Sequence, residues 1–205
     1  MGEGVPGLEH VDKGLDDLVR ALHLLHRAQG RAVEDVRIVV AGSVPVRHGP
    51  GKPYEIRNRL HLARIRRSIR RWGLTERVVF TGYVPAGEIT AWFGLAAAAV
   101  LPYRRNEQSG VASLATGAGT PLLVSDVGGL AEMAGAMAWS FPPRAPDQLA
   151  RTLAGFLQES QPGGPKVRDD STAPSLAEVA SKTLSLYRGC RSDASPAAER
   201  EMVHA

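Results

Sequence analysis

The sequence predicts an α/β fold, an open parallel sheet with helices on both faces. Short apolar runs, such as VRIVVA at residues 36–41 and PLLVS at residues 121–125, alternate with longer segments of helical periodicity. Hydrophobic residues make up 43% of the 205 residues and aromatic residues only 5%, so aliphatic side chains must form the core. That composition is typical of parallel strands buried between helices.

The individual elements follow from local patterns. Runs rich in Val, Ile, Leu and Ala predict strands at residues 36–41, 78–80, 98–101, 121–125 and 137–141. Apolar residues at three- and four-residue spacing predict helices at residues 13–29, 54–72, 88–95, 109–118, 130–133 and 146–157. In the second helix, the predicted apolar stripe consists of Ile56, Leu60, Ile65, Ile69 and Trp72.

The domain organisation follows from where these elements stop. Residues 1–158 are predicted to form one domain, and the stretch 159–174, with three prolines and two glycines, a linker. A helix is predicted within residues 175–190 and a disordered tail at 191–205. Ligands of open parallel sheets bind at the carboxyl ends of the strands. The functional loops are therefore predicted at residues 42–53, 82–87, 102–110 and 126–129.

Charge and cysteine content restrict the function classes. The net charge is +4, and seven arginines cluster between Arg57 and Arg71. Such a cluster attracts nucleic acid or an anionic membrane surface, but no aromatic residues interleave with the arginines as stacking platforms. We therefore favour a solvated helix face and no nucleic acid partner, and leave peripheral membrane contact open. Cys190 is the single cysteine in the sequence. No stretch reaches the ~20 apolar residues of a membrane span, and no signal peptide is recognisable. Together these features predict a cytoplasmic protein.

The segment at residues 101–132 carries the strongest chemical signal. A strand and a polar loop lead into a helix that opens at Ser109 and Gly110. The free N–H groups and positive dipole of a helix N-terminus favour a phosphate, and glycine allows close approach of a ligand. Ser109 can instead cap the helix, and Arg104 and Arg105 can pair with phosphate or be ordinary loop charges. No G-x-G-x-x-G follows the strand at residues 36–41, which argues against a dinucleotide-binding dehydrogenase.

This segment resembles the donor-site signature of retaining glycosyltransferases of the GT-B fold, the glycosyl transferases of group 1. The matching features are Glu107, Gly110, the Gly-Thr-Pro at 119–121, the Ser-Asp-Val-Gly-Gly at 125–129 and Glu132. Upstream, the Lys-Gly-Leu at 13–15, RIVVAG at 37–42, RVVFTGYVP at 77–85 and AAAVLPY at 97–103 resemble further family segments in the same order. The resemblance covers residues 7–158 and implies a Rossmann-like, nucleotide-sugar donor-binding domain, the C-terminal half of a GT-B fold.

The resemblance also implies roles for particular residues. The diphosphate of a UDP- or GDP-linked sugar would lie against Gln108, Ser109, Gly110 and Val111. The base would lie near Tyr83 and Val84. Lys13 would neutralise phosphate charge as the leaving group departs, and Glu107 would contact the donor sugar or stabilise charge there. No metal and no other cofactor are expected.

The sequence departs from the family pattern in two places. The family's second glutamate falls at Leu114, and the family arginine that precedes the lysine by about five residues has no counterpart among residues 7–10. The first strand of the domain is missing or degenerate, and an N-terminal acceptor domain is not present in the sequence. Three functions stay open: the donor half of a glycosyltransferase, a truncated non-catalytic remnant that binds nucleotide sugar weakly or not at all, and a nucleic-acid-binding module on the arginine helix.

Overall fold

A computed structural model of the chain describes residues 11–42, 53–105, 109–135 and 138–160. All of them belong to one compact unit, Met1–Ser171. Strands and helices alternate through these residues as predicted, which confirms the fold class. The predicted linker beyond Ser160, the helix at 175–190 and the tail at 191–205 lie outside the described residues.

The five predicted strands are all present, most of them starting one or two residues later than predicted. They are β1 Ile38–Ala41, β2 Val78–Gly82, β3 Ala99–Leu101, β4 Leu122–Ser125 and β5 Ala138–Phe141. β1 pairs in parallel with β2, and β4 lies between β3 and β5 and is parallel to both. β4 is buried over its whole length, as a central parallel strand must be.

Among the described residues, six α-helices precede, connect and follow these strands. They are α1 Leu15–Gln29, α2 Pro53–Arg71, α3 Ala86–Leu95, α4 Gly110–Gly117, α5 Leu130–Ala134 and α6 Pro146–Glu159. A single 3-10 turn, Val11–Lys13, leads into α1. The predicted first helix therefore begins two residues later than expected, because Gly14 adopts a left-handed conformation between the turn and the helix.

Helices cover both faces of the sheets. On one face, Leu18 and Leu25 of α1 and Leu149 of α6 pack with Leu123 of β4. On the other face, residues of α4 and α5 pack with the remaining buried residues of β3 and β4. A third cluster joins α1 and α2 to β1 and β2. Each cluster buries aliphatic side chains almost completely, as the composition predicts.

The predicted apolar stripe of α2 is only half right. Ile65 and Ile69 are buried at 4% exposure, but Ile56 and Leu60 remain 55% exposed, while Asn58 is buried at 1%. Periodicity shows which side chains share a helix face, but it does not show how far the neighbouring helix and strands extend along that face. In α2, Ile65 and Ile69 of the C-terminal half join the hydrophobic cluster, whereas Ile56 and Leu60 do not.

The described strands form two sheets, one of β1 and β2 and one of β3, β4 and β5. Among residues 11–42, 53–105, 109–135 and 138–160, no strand joins the edge of β1 to the edge of β3.

Candidate functional site

The start of α1 is held tightly against the loop that follows β3. Gly14 has φ +68°, and a Cβ atom built there would lie 1.9 Å from the carbonyl oxygen of Pro102. The backbone N–H of Arg104 donates a hydrogen bond of 2.8 Å to the carbonyl oxygen of Asp12. Only glycine allows the two backbones to approach this closely, so the sequence Lys-Gly-Leu has a steric reason here.

An ionic cluster reinforces this contact. The guanidinium of Arg104 donates hydrogen bonds of 2.6 Å to Asp16 and 2.9 Å to Asp17, both in the first turn of α1. The Arg104 and Asp17 side chains are only 15% and 14% exposed. Burial and the neighbouring Asp16 raise the pKa of Asp17, while Arg104 opposes that rise. Arg104, a candidate phosphate partner in the sequence, is therefore engaged in positioning α1.

This arrangement places Lys13 over the ring of Tyr103. The Lys13 Nζ lies 3.6 Å from the ring centroid, a cation–π contact. Burial lowers the pKa of Lys13, and Asp12 partly offsets that effect. Tyr103 is 2% exposed, and its burial raises its pKa. Its hydroxyl is hydrogen-bonded to the side chain of Ser109, so Tyr103 links the Lys13 ammonium to the beginning of α4.

The beginning of α4 has the geometry of an anion site. Ser109 is the N-cap, and its hydroxyl oxygen accepts a 3.2 Å hydrogen bond from the N–H of Ala112, which confirms the capping interpretation. Gly110 is exposed, and a Cβ atom there would meet nothing within 4 Å. No acidic residue lies in the first turn of α4. Tyr103 thus contacts both the cation of Lys13 and the N-cap residue at the positive end of the α4 dipole.

The other predicted site residues are distributed around this centre. Tyr83 is 54% exposed, and the adjacent Val84 is buried at 7% exposure. Val84 and Val111 both line an apolar cavity of about 390 Å³ between β1 and β3. Glu107 and Gln108 lie outside the described residues. The structure thus connects Lys13 with Ser109 through Tyr103.

Other candidate sites gain little from the structure. Within the described ranges, no group of three or more His, Cys, Asp or Glu side chains could hold a metal ion. The helices in those same ranges include none with the length and apolar character of a membrane span. All seven arginines of α2 are exposed, in agreement with a solvated helix face.

Two features that position the site were not predicted from the sequence: the contact of Tyr103 with Lys13 and the pairing of Arg104 with Asp16 and Asp17. Tyr103 was recognised only as the end of a strand segment, and Asp16 and Asp17 were not considered as partners of Arg104. Asp16 and Arg104 are separated by 88 residues in the chain. The available signal was the glycine after Lys13, since a glycine next to a candidate catalytic lysine indicates a close backbone approach.

The parallel α/β fold matches that of GT-B glycosyltransferases. The family model described as glycosyl transferases group 1 matches residues 5–159. The chain therefore belongs to the group 1 glycosyl transferases.

Individual relatives agree with this assignment. The 2-deoxystreptamine glucosyltransferase of Streptomyces kanamyceticus is 37% identical over 92 residues, which are 44% of this chain and 24% of that protein. A glycosyltransferase of Rickettsia africae aligns over 92% of this chain and 47% of its own, with 15% identity and a TM-score of 0.73. Alr3699/HepE of Anabaena, solved in complex with UDP, aligns over 73% of this chain and 37% of its own, with 18% identity and a TM-score of 0.60.

These structural matches establish the fold. The chain spans less than half the length of each of the three proteins.

Proposed function

We propose that this chain is the C-terminal, donor-binding half of a retaining glycosyltransferase, and that it binds a nucleoside diphosphate sugar. The observation that carries this proposal is the pairing of the Lys13 ammonium with the open N-terminus of α4 across Tyr103. A cation and a set of free backbone N–H groups at one place favour a diphosphate. The resemblance in the Glu107–Val111 segment and the UDP complex of Alr3699/HepE support the same ligand class.

Each residue has a defined part in the proposed reaction. Ser109, Gly110 and Val111 present backbone N–H groups to the diphosphate, with Gln108 beside them. Lys13 neutralises the charge that develops on the diphosphate when the bond to the sugar breaks. Glu107 contacts the donor sugar or stabilises charge there. Tyr83 and Val84 form the base subsite, for which the exposed Tyr83 ring offers a stacking surface.

We expect these 205 residues alone to bind UDP or GDP weakly and to transfer no sugar. The chain covers less than half of each relative described above, and the acceptor would be bound by the remaining half of the enzyme. Leu114, which occupies the position of the family's second glutamate, is 43% exposed and offers no hydrogen bond to a ribose.

Calorimetric titration with UDP and GDP tests the proposal. The informative variant is Gly110→Asp, because an aspartate in the first turn suits a helix N-terminus but repels a diphosphate. A Cβ atom is accommodated at this position, so the fold should persist. Gly110→Asn is the matched control, with the same shape and no charge. We expect Gly110→Asp to weaken binding about tenfold or more relative to Gly110→Asn.

The base that binds more tightly identifies the donor nucleotide. If neither nucleotide binds the wild-type chain, the non-catalytic remnant becomes the better interpretation. If both variants bind equally well, the diphosphate does not lie at α4.

A further inference from the structure

Helix α2 presents a face to solvent that is aliphatic at one end and basic at the other. Its inner face is marked by three buried residues, Asn58, Ile65 and Ile69. At about 3.6 residues per turn, the opposite side of the helix carries Ile56, Leu60, Ala63 and Arg67, at three- and four-residue spacing. All four are exposed, and the two large aliphatic side chains are each 55% exposed. We call this side the outer face of α2.

Arginines flank the aliphatic residues on both sides of the outer face. One row consists of Arg59, Arg66 and Arg70, and the row on the other side consists of Arg57, Arg64 and Arg71. All of these side chains are exposed. No carboxylate among the described residues forms a salt bridge with an arginine of α2, and Glu55 is the single acidic residue in the sequence of this helix. The outer face therefore carries a concentrated positive charge.

Exposed aliphatic side chains between two rows of arginines fit the surface of an anionic bilayer. The aliphatic groups at the centre of such a face enter the boundary between the headgroups and the acyl chains. The arginines at its sides extend toward the lipid phosphates, since their long side chains are apolar along the stem and charged at the tip. The positive charge is complementary to acidic headgroups, and each Lys or Arg near such a surface strengthens binding roughly fivefold.

A nucleic acid fits the outer face less well. Proteins that bind single strands use aromatic rings on which the bases stack. Two rings near this helix are already engaged. The Arg66 guanidinium lies 5.0 Å from the centroid of the Phe80 ring, and Trp72 stacks on His23 with the ring centroids 4.6 Å apart. The exposed aliphatic residues would also gain nothing from a phosphate backbone, whereas a bilayer offers them an apolar environment.

We propose that the outer face of α2 binds the surface of an anionic lipid bilayer, with the helix axis parallel to the membrane plane. Ile56 and Leu60 enter the headgroup boundary, and the flanking arginines contact the lipid phosphates. The inner face of α2 is directed toward α1, where the Nε2 of His61 lies 3.7 Å from the Asp16 carboxylate. The proposed contact uses no residue of the Lys13 site, so vesicle binding can be measured without any nucleotide and independently of the proposed transferase function.

Co-sedimentation of the 205-residue chain with lipid vesicles tests the proposal. The anionic vesicles contain phosphatidylcholine with about 30 mol% phosphatidylglycerol, and vesicles of phosphatidylcholine alone are the neutral comparison. Binding to the anionic vesicles should be at least about tenfold tighter. Raising the salt concentration from about 0.1 M to about 0.5 M should weaken it about fivefold or more. Equal binding to both kinds of vesicle would overturn the proposal.

Two triple variants with the same change in net charge test the location. The first combines Arg64→Gln, Arg67→Gln and Arg71→Gln, all on the outer face, and should weaken binding to anionic vesicles at least about tenfold. The control combines Arg31→Gln, Arg37→Gln and Arg151→Gln, which change exposed arginines outside α2. It should weaken binding less than about threefold, because only the net charge changes. Equal losses in the two triple variants would mean that binding follows net charge alone, against the proposal.

Two double variants test the aliphatic contact. Ile56→Ser with Leu60→Ser should weaken binding to anionic vesicles about three- to tenfold, because less apolar surface enters the bilayer. The control is Val79→Ser with Met133→Ser, on β2 and α5, which are 45% and 38% exposed and should leave binding unchanged. Circular dichroism establishes that the variants fold, as expected for changes at exposed positions. If the first double variant binds like the wild type, the contact is purely electrostatic and the proposal fails.

A fluorescent label measures insertion directly. An environment-sensitive dye, NBD, is attached at Ala63→Cys in a Cys190→Ser background, and Arg151→Cys is the control position. Anionic vesicles should shift the emission of the label at position 63 to shorter wavelength and leave that at position 151 unchanged; an unshifted emission at position 63 would contradict insertion. A polynucleotide that binds more tightly than the anionic vesicles, and loses binding in the outer-face arginine variant, would identify a nucleic-acid surface and overturn the proposal.

Discussion

Replacing Gly14 with alanine should lower the free energy of unfolding by about 2–4 kcal/mol. Gly14 lies between the 3-10 turn and α1, where its left-handed conformation and its contact with Pro102 hold the beginning of α1 against β3. Two separate costs contribute to this figure, one conformational and one steric.

The conformational cost arises because φ at Gly14 is +68°. An alanine in the left-handed region costs about 1–2 kcal/mol, reduced by up to about 1 kcal/mol because alanine also restricts the unfolded chain. The steric cost arises because the new Cβ would lie 1.9 Å from the Pro102 carbonyl oxygen, well inside van der Waals contact. Relieving such an overlap requires a backbone shift, which costs about 1–3 kcal/mol.

Gly73→Ala separates the two costs. Gly73 also has φ +68°, but a Cβ atom there would meet nothing within 4 Å. It should therefore show the conformational cost alone, about 1 kcal/mol. Equilibrium unfolding in urea, followed by circular dichroism, gives the free energy of unfolding of the wild type and of both variants.

The decisive quantity is the difference between the two variants. The close contact predicts that Gly14→Ala is more destabilising than Gly73→Ala by about 1–3 kcal/mol. Equal destabilisation would refute the argument, because it would show that the beginning of α1 is not held against the loop after β3. The position of Lys13 over Tyr103 would then lose its structural explanation.

Two further predictions concern the surroundings of the site. Ser109→Ala should lower the free energy of unfolding in urea by about 1–2 kcal/mol, since it removes the cap of α4 and a partner of the buried Tyr103 hydroxyl. The control, Ser113→Ala, changes an exposed residue and should alter the free energy of unfolding by less than about 0.5 kcal/mol. Similar values for the two variants would contradict the capping role of Ser109. Burial lowers the pKa of His61 in the folded chain, so the folded state favours the neutral imidazole. The contribution of His61 to the free energy of unfolding is therefore complete above its unfolded pKa of about 6.5 and is lost as the pH falls toward the lower folded pKa. His61→Gln should therefore reduce the loss of stability between about pH 7.5 and pH 5.5, and an unchanged pH profile would exclude this residue as a cause.

Local patterns were sufficient to predict the elements. The strand β4 and the helix α4 are found within one residue of their predicted positions, because β-branched and aliphatic runs and capping residues act over short distances. The exposed Ile56 and Leu60 show the limit of such patterns. Periodicity defines a helix face, while the extent of the surface that covers it depends on segments far away in the chain.

The same limit applies to the site. Ser109 and Gly110 were identified from the sequence because a helix N-terminus is a local feature. The engagement of Arg104 with Asp16 and Asp17 could not be predicted, since a loop arginine is equally able to bind a phosphate or a carboxylate. The placement of Lys13 next to Tyr103 depends on how α1 and β3 pack, which a single sequence does not specify.

The sequence by itself determined the fold class, the order of the elements and the family, because these follow from hydrophobic periodicity and from ordered motifs. Only the tertiary structure decided which charged groups meet and how the strands divide between two sheets. Neighbours in a parallel sheet are separated in the chain by whole helices, so their pairing depends on long-range packing. The position of Lys13 over the ring of Tyr103 arises from that packing.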